Sequence, residues 1–388
     1  MNKARFTSHI PIAAAYFLYW FAAASFIPYL SMYYESKGFV GKQIGLLIGI
    51  PYLVTSISSF LLGYLTDLLK KPVIMLRISS AVLCAALILL SNANNLLMTA
   101  FACLIYAISS APINPILDEI TLKNLIDPSQ YGSVRIGGSF GWGLGVLGIS
   151  FLLSDWNFSS MFYIPALLLI LFLINTIFIS DESGAGKQEK NSMGYIWAFI
   201  RKKPTIILLL ANIVWGISES CITGYLFLHI KMLGGNSLMM GLSMALAILS
   251  EVICFSVVGK LLKRTRLSAF VIAAYLLQLT RLSSLAIIED PSLLILFQFC
   301  GGASFALIWS ATVAYINTNV DRELQATGQS LKSMVMNIGS SISVLLAGYI
   351  YEFYGSTRLY SCVAFIILIA LITGIWLNKS LRRSIAGL

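Results

Sequence analysis

The stretch SDESGAGKQEKNSMGYIWAFIRKK, residues 180–203, is the longest polar connection in the chain and lies close to the midpoint of its 388 residues. On both sides of it, long apolar runs are separated by short polar connections. A membrane-spanning helix needs about 20 mostly apolar residues, and six such runs precede this stretch and six follow it. The sequence therefore predicts an all-α integral membrane protein with twelve transmembrane helices in two six-helix bundles.

The composition excludes a soluble protein. Hydrophobic residues make up 58% of the chain and charged residues only 11%, whereas about 25% of the residues in a soluble domain are charged. Lipid admits only helices or closed barrels, because every backbone polar group must be bonded internally, and runs of this length favour helices. The predicted spans are Ser8–Tyr34, Gln43–Thr66, Pro72–Leu90, Leu96–Leu122, Tyr131–Leu153, Phe158–Ile179, Pro204–Ile230, Leu238–Leu262, Leu267–Ile288, Leu293–Ile316, Thr327–Tyr351 and Arg358–Leu377.

The basic residues indicate the orientation. With a cytoplasmic N-terminus, twenty-one of the 26 Lys and Arg residues fall on the cytoplasmic side and Arg281 falls within a span. Only Lys37, Lys42, Lys231 and Arg358 fall outside. An excess of basic residues marks cytoplasmic loops. We therefore predict a multi-pass protein of the inner (plasma) membrane with both termini cytoplasmic. The net charge of +10 is then a topology signal, and nucleic acid is not an expected partner.

The predicted domains follow from the central polar stretch. They are an N-terminal bundle at residues 1–180, a cytoplasmic linker at 181–203 with a short interfacial helix at Met193–Arg201, and a C-terminal bundle at 204–388.

An internal repeat supports this division. Glycine-containing connections recur 196 positions apart, as Gly63 with Gly259 and as Gly132 with Gly328. In transporters built from such repeats, the substrate site lies near the membrane midplane between the halves.

Charges inside the spans are the candidate functional residues. A charge at the bilayer centre costs about 2.5–3.5 kcal/mol on insertion scales, and such residues usually face the bundle interior or a water-filled cavity. At about 1.5 Å per residue, Glu219, Glu251 and Arg281 lie roughly 20 Å from the surface where their spans begin. The charged residues predicted within spans are Asp118, Glu119, Arg135, Glu219, Glu251, Arg281 and Lys332.

Each of these charges also has a structural interpretation. An acid of span 4 paired with Arg135 either stabilises the hairpin of spans 4 and 5 or binds substrate. Glu251 and Arg281 form either a buried ion pair or a coupling and binding site. Lys332 serves either as a cytoplasmic gate contact or in binding.

Span 5 reads YGSVRIGGSFGWGLGVLG, residues 131–148. Gly137, Gly141 and Gly145 form a stripe at i, i+4 and i+8 that lets a neighbouring helix approach closely. Arg135 and Trp142 are seven residues apart and share a helix face. Trp142 therefore either packs against protein or forms a stacking floor for a sugar ring or an aromatic acid.

The connection GYLTDLLKK and the six-plus-six layout resemble the major facilitator superfamily. Its pattern in the loop between spans 2 and 3 is matched by Gly63, Asp67, Lys70 and Lys71, which the resemblance assigns to a gating loop. Leu68 replaces the basic residue that usually follows the Asp. The resemblance implies a transporter that works by alternating access.

Span 5 also resembles that of lactose permease and its oligosaccharide:proton symporter relatives. There an Arg and a Trp seven residues apart, here Arg135 and Trp142, bind sugar with an acid of span 4, for which Asp118 is the candidate. Glu251 in SEVICF resembles the sugar-binding Glu of span 8, and Arg281 in LTRLSSLA resembles the Arg of span 9.

Two further positions bear on this resemblance. Glu219 resembles an acid of span 7 whose expected basic partner lies about one turn from Lys332. Gly301 and Ser304 stand where lactose permease has its proton-relay His and Glu.

A resemblance to permeases similar to the phenylpropionate transporter extends over nearly the whole chain. It is carried by YFLYWFAAASFIPYLSMYYESKG, QIGLLIG, YGSVRIGGSFG, LSEVICF, LQATGQSLKSM and LLAGYIYEFYG. This branch is also similar to sugar and nucleoside permeases.

Together these features predict a secondary active transporter, not an enzyme, that takes up a small organic solute with protons. A sugar or oligosaccharide is favoured, and the alternatives are an aromatic carboxylate or nucleoside permease, a drug exporter or, more distantly, an integral membrane transferase. We assign proton coupling to Glu251, Glu219 and Arg281. The predicted substrate-binding residues are Asp118, Arg135, Trp142, Glu219, Glu251, Arg281 and Lys332.

Few other partners are expected. No GxxxxGK[ST] phosphate loop occurs in the chain, and its six cysteines lack metal-ligand spacing. We therefore expect no cofactor and no metal, with the proton as coupling ion and a monomer in the lipid bilayer as the functional form.

Overall fold

The computed structural model describes residues 9–124, 131–152, 161–179, 197–262, 264–320 and 325–386. Within these ranges the regular structure is entirely helical. The helices are α1 (His9–Ala24), α2 (Leu30–Ser36), α3 (Gly41–Leu69), α4 (Pro72–Ser91), α5 (Leu96–Ser110), α6 (Ile113–Asn124), α7 (Tyr131–Leu152), α8 (Tyr163–Asn175), α9 (Lys203–Met232), α10 (Ser237–Leu262), α11 (Leu267–Ile287), α12 (Pro291–Leu296), α13 (Gln298–Asn319) and α14 (Gln325–Ala386).

These helices account for the twelve predicted spans. Among the described residues, nine helical segments are long and apolar enough to cross a membrane. One of them, Leu331–Ile375, contains parts of the last two predicted spans. Within α14 these two spans are separated by Gly355, whose backbone is not helical and has φ 79° and ψ 171°. The fifth and sixth predicted spans correspond to α7 and to α8 with the 3-10 turn Thr176–Phe178.

Three predicted spans are interrupted in the structure, two of them at prolines. A proline has no backbone N–H and its ring disrupts a continuing helix. The first span therefore divides around a 3-10 turn that contains Pro28, and the fourth divides at Pro112. The tenth begins at Pro291 and is interrupted at Phe297.

The chain forms two compact units. Unit 1 comprises Met1–Lys187 with Asn236–Gly241, and unit 2 comprises Gln188–Gly235 with Leu242–Leu388. The first four residues of the predicted interfacial helix at Met193–Arg201 lie outside the described residues. Residues 197–200 of it are helical.

Unit 1 is organised around the contact between α1 and α7. A Cβ added at Gly137 would lie 2.8 Å from the carbonyl oxygen of Ala13, and one at Gly141 would lie 2.3 Å from that of Phe17. At Gly145 the added Cβ would lie 2.7 Å from the carbonyl oxygen of Phe21. The predicted glycine stripe is confirmed as the surface on which the two backbones meet.

Unit 2 repeats this arrangement between α9 and α14. A Cβ at Gly216 would lie 2.8 Å from the carbonyl oxygen of Met336, and one at Gly339 would lie 2.9 Å from that of Ile213. The first long helix of each unit thus packs closely, through glycines, on a helix that follows later in the same unit. Each unit thus contains one close contact of this kind, and the internal repeat itself stays a prediction.

Candidate functional site

Two oppositely charged side chains meet in unit 2, Glu219 of α9 and Arg281 of α11. Nη1 of Arg281 lies 2.9 Å from Oε2 of Glu219. The Arg281 side chain is 2% exposed and that of Glu219 is 30% exposed. The sequence left open a pair between Arg281 and Glu251, whereas the acid that the structure places on Arg281 is Glu219. Such pairing matters because a buried charge left without its partner is strongly destabilising.

Two buried glutamines hold this ion pair in place. The Arg281 Nε donates to Oε1 of Gln298 at 2.8 Å. Nε2 of Gln278 donates to Oε2 of Glu219 at 3.2 Å and to Oγ of Ser218 at 3.0 Å. The guanidinium is therefore fixed on two edges, and the carboxylate accepts bonds from two helix-borne side chains.

Sequence reasoning missed both glutamines, because an uncharged amide in an apolar span resembles a packing residue. The spacing of residues along α11 is the feature of the sequence that could have identified Gln278. Gln278 lies three residues before Arg281 on α11, which puts the two side chains on one helix face.

Gly301 of α13 makes room for the guanidinium. A Cβ at this position would lie 2.5 Å from Cζ of Arg281, so Arg281 packs directly on the glycine backbone. Ser304, one turn further on, accepts a hydrogen bond from Nε1 of Trp215 at 3.1 Å and donates to the carbonyl oxygen of Ala274 at 2.9 Å. The two positions that depart from the lactose permease pattern thus have defined structural roles.

Lys332 of α14 is buried against an aromatic ring. The residue is 1% exposed, and its Nζ lies 2.9 Å from the ring centroid of Trp309. A cation over the face of an indole is attracted by the ring quadrupole, the more so when it is desolvated. The structure therefore gives Lys332 an aromatic neighbour that the sequence analysis did not foresee.

Trp309 belongs to an aromatic cluster that consists of Trp215, Phe255, Phe305 and Trp309. The ring of Phe305 lies at its centre, with centroids 5.2 Å from Trp309, 5.5 Å from Trp215 and 6.1 Å from Phe255. Phe305 and Trp309 are four residues apart on α13. This spacing is the one feature of the sequence that indicates the aromatic cluster.

Glu251 lies on α10, the helix that contributes Phe255 to this cluster. The residue is half-buried and precedes Phe255 by one helical turn, so the two share a helix face. Its carboxyl-bearing side chain thus lies on the face of α10 that carries Phe255 to the aromatic cluster.

In unit 1, Asp118 of α6 lies between a tyrosine and an arginine. The Tyr16 hydroxyl of α1 donates a short hydrogen bond to Oδ1 of Asp118. Nη1 of Arg135 lies 3.7 Å from Oδ2, with about a third of each side chain exposed. The predicted pair between an acid of span 4 and Arg135 is confirmed, and its role stays a prediction. Tyr16, which the sequence analysis missed, is buried.

Trp142 of α7 meets a second indole. Its ring centroid lies 5.6 Å from that of Trp20, with the rings edge to face at 69°. A Cβ at Gly138 would lie 2.6 Å from Cδ1 of Trp20, so this glycine admits the indole of α1. Trp142 therefore packs against protein on one side, while the residue as a whole stays half-buried.

The residues that match the major facilitator pattern lie at the end of α3 and in the short connection to α4. Lys70 ends α3 in the left-handed conformation, with φ 52° and ψ 32°, and Lys71 precedes the first residue of α4. Both lysines are exposed. Gly63 lies in α3, where an added Cβ would meet nothing within 4 Å, and the side chain of Asp67 lies outside the described part.

Comparisons with known proteins agree on one family. The model of the MFS_1 like family matches residues 9–362. The maltose permease of Geobacillus stearothermophilus is 26% identical over 352 residues, which cover 87% of this chain and 86% of that protein. A probable 3-phenylpropionic acid transporter of Escherichia coli (strain K12) is 19% identical over 350 residues, 89% of this chain and 91% of that protein.

The fold is also found among solved structures. The nucleoside transporter NupG superposes with a TM-score of 0.83 at 16% identity, over 98% of this chain and 100% of that one.

Proposed function

The chain belongs to the MFS_1 like family, and from that premise we propose that it takes up a small organic solute together with protons, by alternating access. Its relatives named above are permeases and transporters, not enzymes, so nothing in them favours a membrane transferase. The observation that carries the proposal is the pair of Glu219 and Arg281, in which a carboxylate inside a span holds a buried guanidinium at 2.9 Å.

Protonation of Glu219 would change this site in a defined way. The neutral acid no longer balances the charge of Arg281, which is 2% exposed and therefore poorly solvated. Losing the charge of one partner in a buried pair is strongly destabilising, so the helices that carry the two residues would favour another arrangement. A proton and a conformational change are thereby coupled, because each conformation binds the proton with a different affinity.

A sugar or oligosaccharide is the favoured solute. The maltose permease relative supports it, as does the group formed by Asp118, Arg135 and Trp142 in unit 1. Asp118 and Arg135 supply an acceptor and donors for sugar hydroxyls, and each keeps about a third of its side chain exposed. The half-buried Trp142, seven residues after Arg135 on the same helix, offers part of an aromatic surface.

An aromatic carboxylate is the second candidate. Lys332 supplies a cation and Trp309 a ring within 2.9 Å of each other, which suits a solute that combines a carboxylate with an aromatic ring. The relative described as a probable 3-phenylpropionic acid transporter supports the same candidate. Nucleoside uptake and drug export are the remaining alternatives.

Uptake into proteoliposomes tests the coupling and the solute together. Maltose, 3-phenylpropionate and a nucleoside are compared with and without an inward proton gradient, and the expected result is gradient-driven accumulation of one of them. Glu251→Gln and Glu219→Gln are expected to abolish accumulation without loss of expression. Glu289→Gln, at an exposed glutamate between α11 and α12, is the matched control. Full gradient-driven accumulation by both variants would refute the proposed coupling.

We further propose that both termini and the central linker lie on the cytoplasmic side of the plasma membrane and that the monomer is the functional form. Lys37 and Arg264 are exposed, in connections on opposite sides of the proposed topology. In intact cells, a membrane-impermeant maleimide is expected to label a single cysteine at position 37 but not at position 264. Labelling in the reverse pattern would contradict the orientation.

A further inference from the structure

A groove of about 490 Å³ opens on unit 1 between α4 and α8. One of its lining residues is charged and the others are apolar. Ile78 is 55% exposed and Ile177 is 67% exposed, so the walls of the groove face the surroundings of the helices, which in a membrane protein are lipid. The lining residues are Arg77, Ile78, Ala81, Leu173, Ile174 and Ile177.

Arg77 is held in a fixed orientation at one end of this groove. Its Nε donates to Oγ1 of Thr176 at 3.1 Å, and its Nη2 donates to the carbonyl oxygen of Thr176 at 2.9 Å. Thr176 is itself fully buried and donates to the carbonyl oxygen of Leu173 at 2.6 Å. The guanidinium is therefore anchored by two hydrogen bonds to a buried threonine.

The anchored guanidinium keeps donors for a ligand. An arginine carries five N–H groups in a planar fork, and Thr176 is the partner that the described residues give it. Two of the five donors are used, so Nη1 and the second hydrogen of Nη2 remain for an oxyanion. A guanidinium binds a phosphate through two parallel N–H bonds of this kind.

The position of Arg77 along the helix places it near the headgroups. It lies five residues after Pro72, where α4 begins, which is about 7.5 Å into the helix. The exposed Lys70 and Lys71 precede α4 and add positive charge at the same end. Ala81 lies one turn deeper on α4, so the apolar part of the groove extends from Arg77 toward the membrane interior.

We propose that this groove is a binding site for an anionic phospholipid. The phosphate lies on Arg77 and one acyl chain lies along Ala81 and Ile174. The positive charge of Arg77 with the two nearby lysines favours an anionic headgroup over a zwitterionic one, whose cationic end they repel. The proposal is independent of the transported solute.

Native mass spectrometry of the purified full-length protein, titrated with phosphatidylglycerol or phosphatidylcholine, tests the site. Wild-type protein is expected to retain phosphatidylglycerol preferentially. Arg77→Gln is expected to lower that retention about fivefold, since one basic side chain near anionic lipid is worth roughly that factor. Arg264→Gln, which removes an exposed arginine of unit 2, is the matched control and is expected to change nothing.

A second variant keeps the test decisive if Arg77→Gln fails to fold. Ala81→Phe fills the apolar part of the groove and leaves the contacts of Arg77 with Thr176 intact. It is expected to lower phosphatidylglycerol retention by a similar factor. Equal retention of the two lipids by wild-type protein, or unchanged retention in Ala81→Phe, would overturn the proposal. Displacement of the lipid by millimolar inorganic phosphate would also overturn it, because it would indicate a site for a soluble anion.

Discussion

Replacing Gly301 by alanine tests whether the ion-pair site depends on the space that this glycine leaves. The added Cβ would lie 2.5 Å from both Cζ and Nη1 of Arg281, whereas ordinary van der Waals contact begins at 3.4 Å. The guanidinium must therefore retreat by about 0.9 Å, the difference between these distances. Its hydrogen bonds to Glu219 at 2.9 Å and to Gln298 at 2.8 Å cannot both be kept after this displacement, because N–H···O bonds weaken beyond about 3.2 Å.

The expected cost follows from losing one of these two bonds. A hydrogen bond that involves a charged group contributes about 1.5–3 kcal/mol. Alanine in place of glycine within a helix stabilises the helix by up to about 1 kcal/mol, which offsets part of this loss. Gly301→Ala is therefore expected to be less stable than wild type by about 0.5–2 kcal/mol, or roughly 1–8 °C in apparent unfolding temperature for a unit of this size.

Thermal unfolding in detergent, followed by size-exclusion chromatography, measures this difference. Gly374→Ala is the matched control, because Gly374 lies inside α14 and its added Cβ meets nothing within 4 Å. The control is expected to be as stable as wild type or slightly more stable. In a background of Glu219→Gln with Arg281→Gln, the cost of Gly301→Ala is expected to disappear. A Gly301→Ala variant as stable as Gly374→Ala, or one whose cost persists in that background, would contradict a steric conflict between the added Cβ and Arg281.

Three further changes have expected outcomes that the same unfolding assay measures. Gly141→Ala places a Cβ 2.3 Å from a carbonyl oxygen of α1 and is expected to cost about 1–3 kcal/mol, whereas Gly148→Ala, with its nearest neighbour at 4.0 Å, is expected to be neutral or stabilising. Trp309→Leu removes the ring that lies 2.9 Å from Nζ of Lys332 and is expected to cost about 2 kcal/mol, more than Trp309→Phe. Asn95→Ala removes the side-chain cap of α5 and is expected to cost about 1 kcal/mol.

Each of these expectations has a result that contradicts it. Equal unfolding temperatures for the two α7 variants would mean that the close approach of α1 is not rigid. Equal temperatures for the leucine and phenylalanine variants at position 309 would mean that the ring does not stabilise the lysine. Wild-type stability of Asn95→Ala would mean that the cap is replaced by other contacts.

The helices and the location of their charges were predictable because both depend on local sequence. A run of about 20 apolar residues is stable in lipid only as a helix, so the twelve spans follow from composition and spacing. The glycine stripe of α7 was also readable, since i, i+4 and i+8 spacing places Gly137, Gly141 and Gly145 on one face. Pro28 interrupts the first helix for an equally local reason, so the first span is not continuous as the apolar run alone predicts.

The partners of the buried charges were decided only by the tertiary structure. A helix that is apolar all around has no face that its sequence marks as inward, so its rotation and its neighbours depend on packing with the other helices. That packing pairs Arg281 with Glu219, places the guanidinium on Gly301 and holds it with Gln298. It likewise brings Lys332 onto Trp309. Each of these contacts joins residues of different helices, and its geometry depends on how two backbones approach.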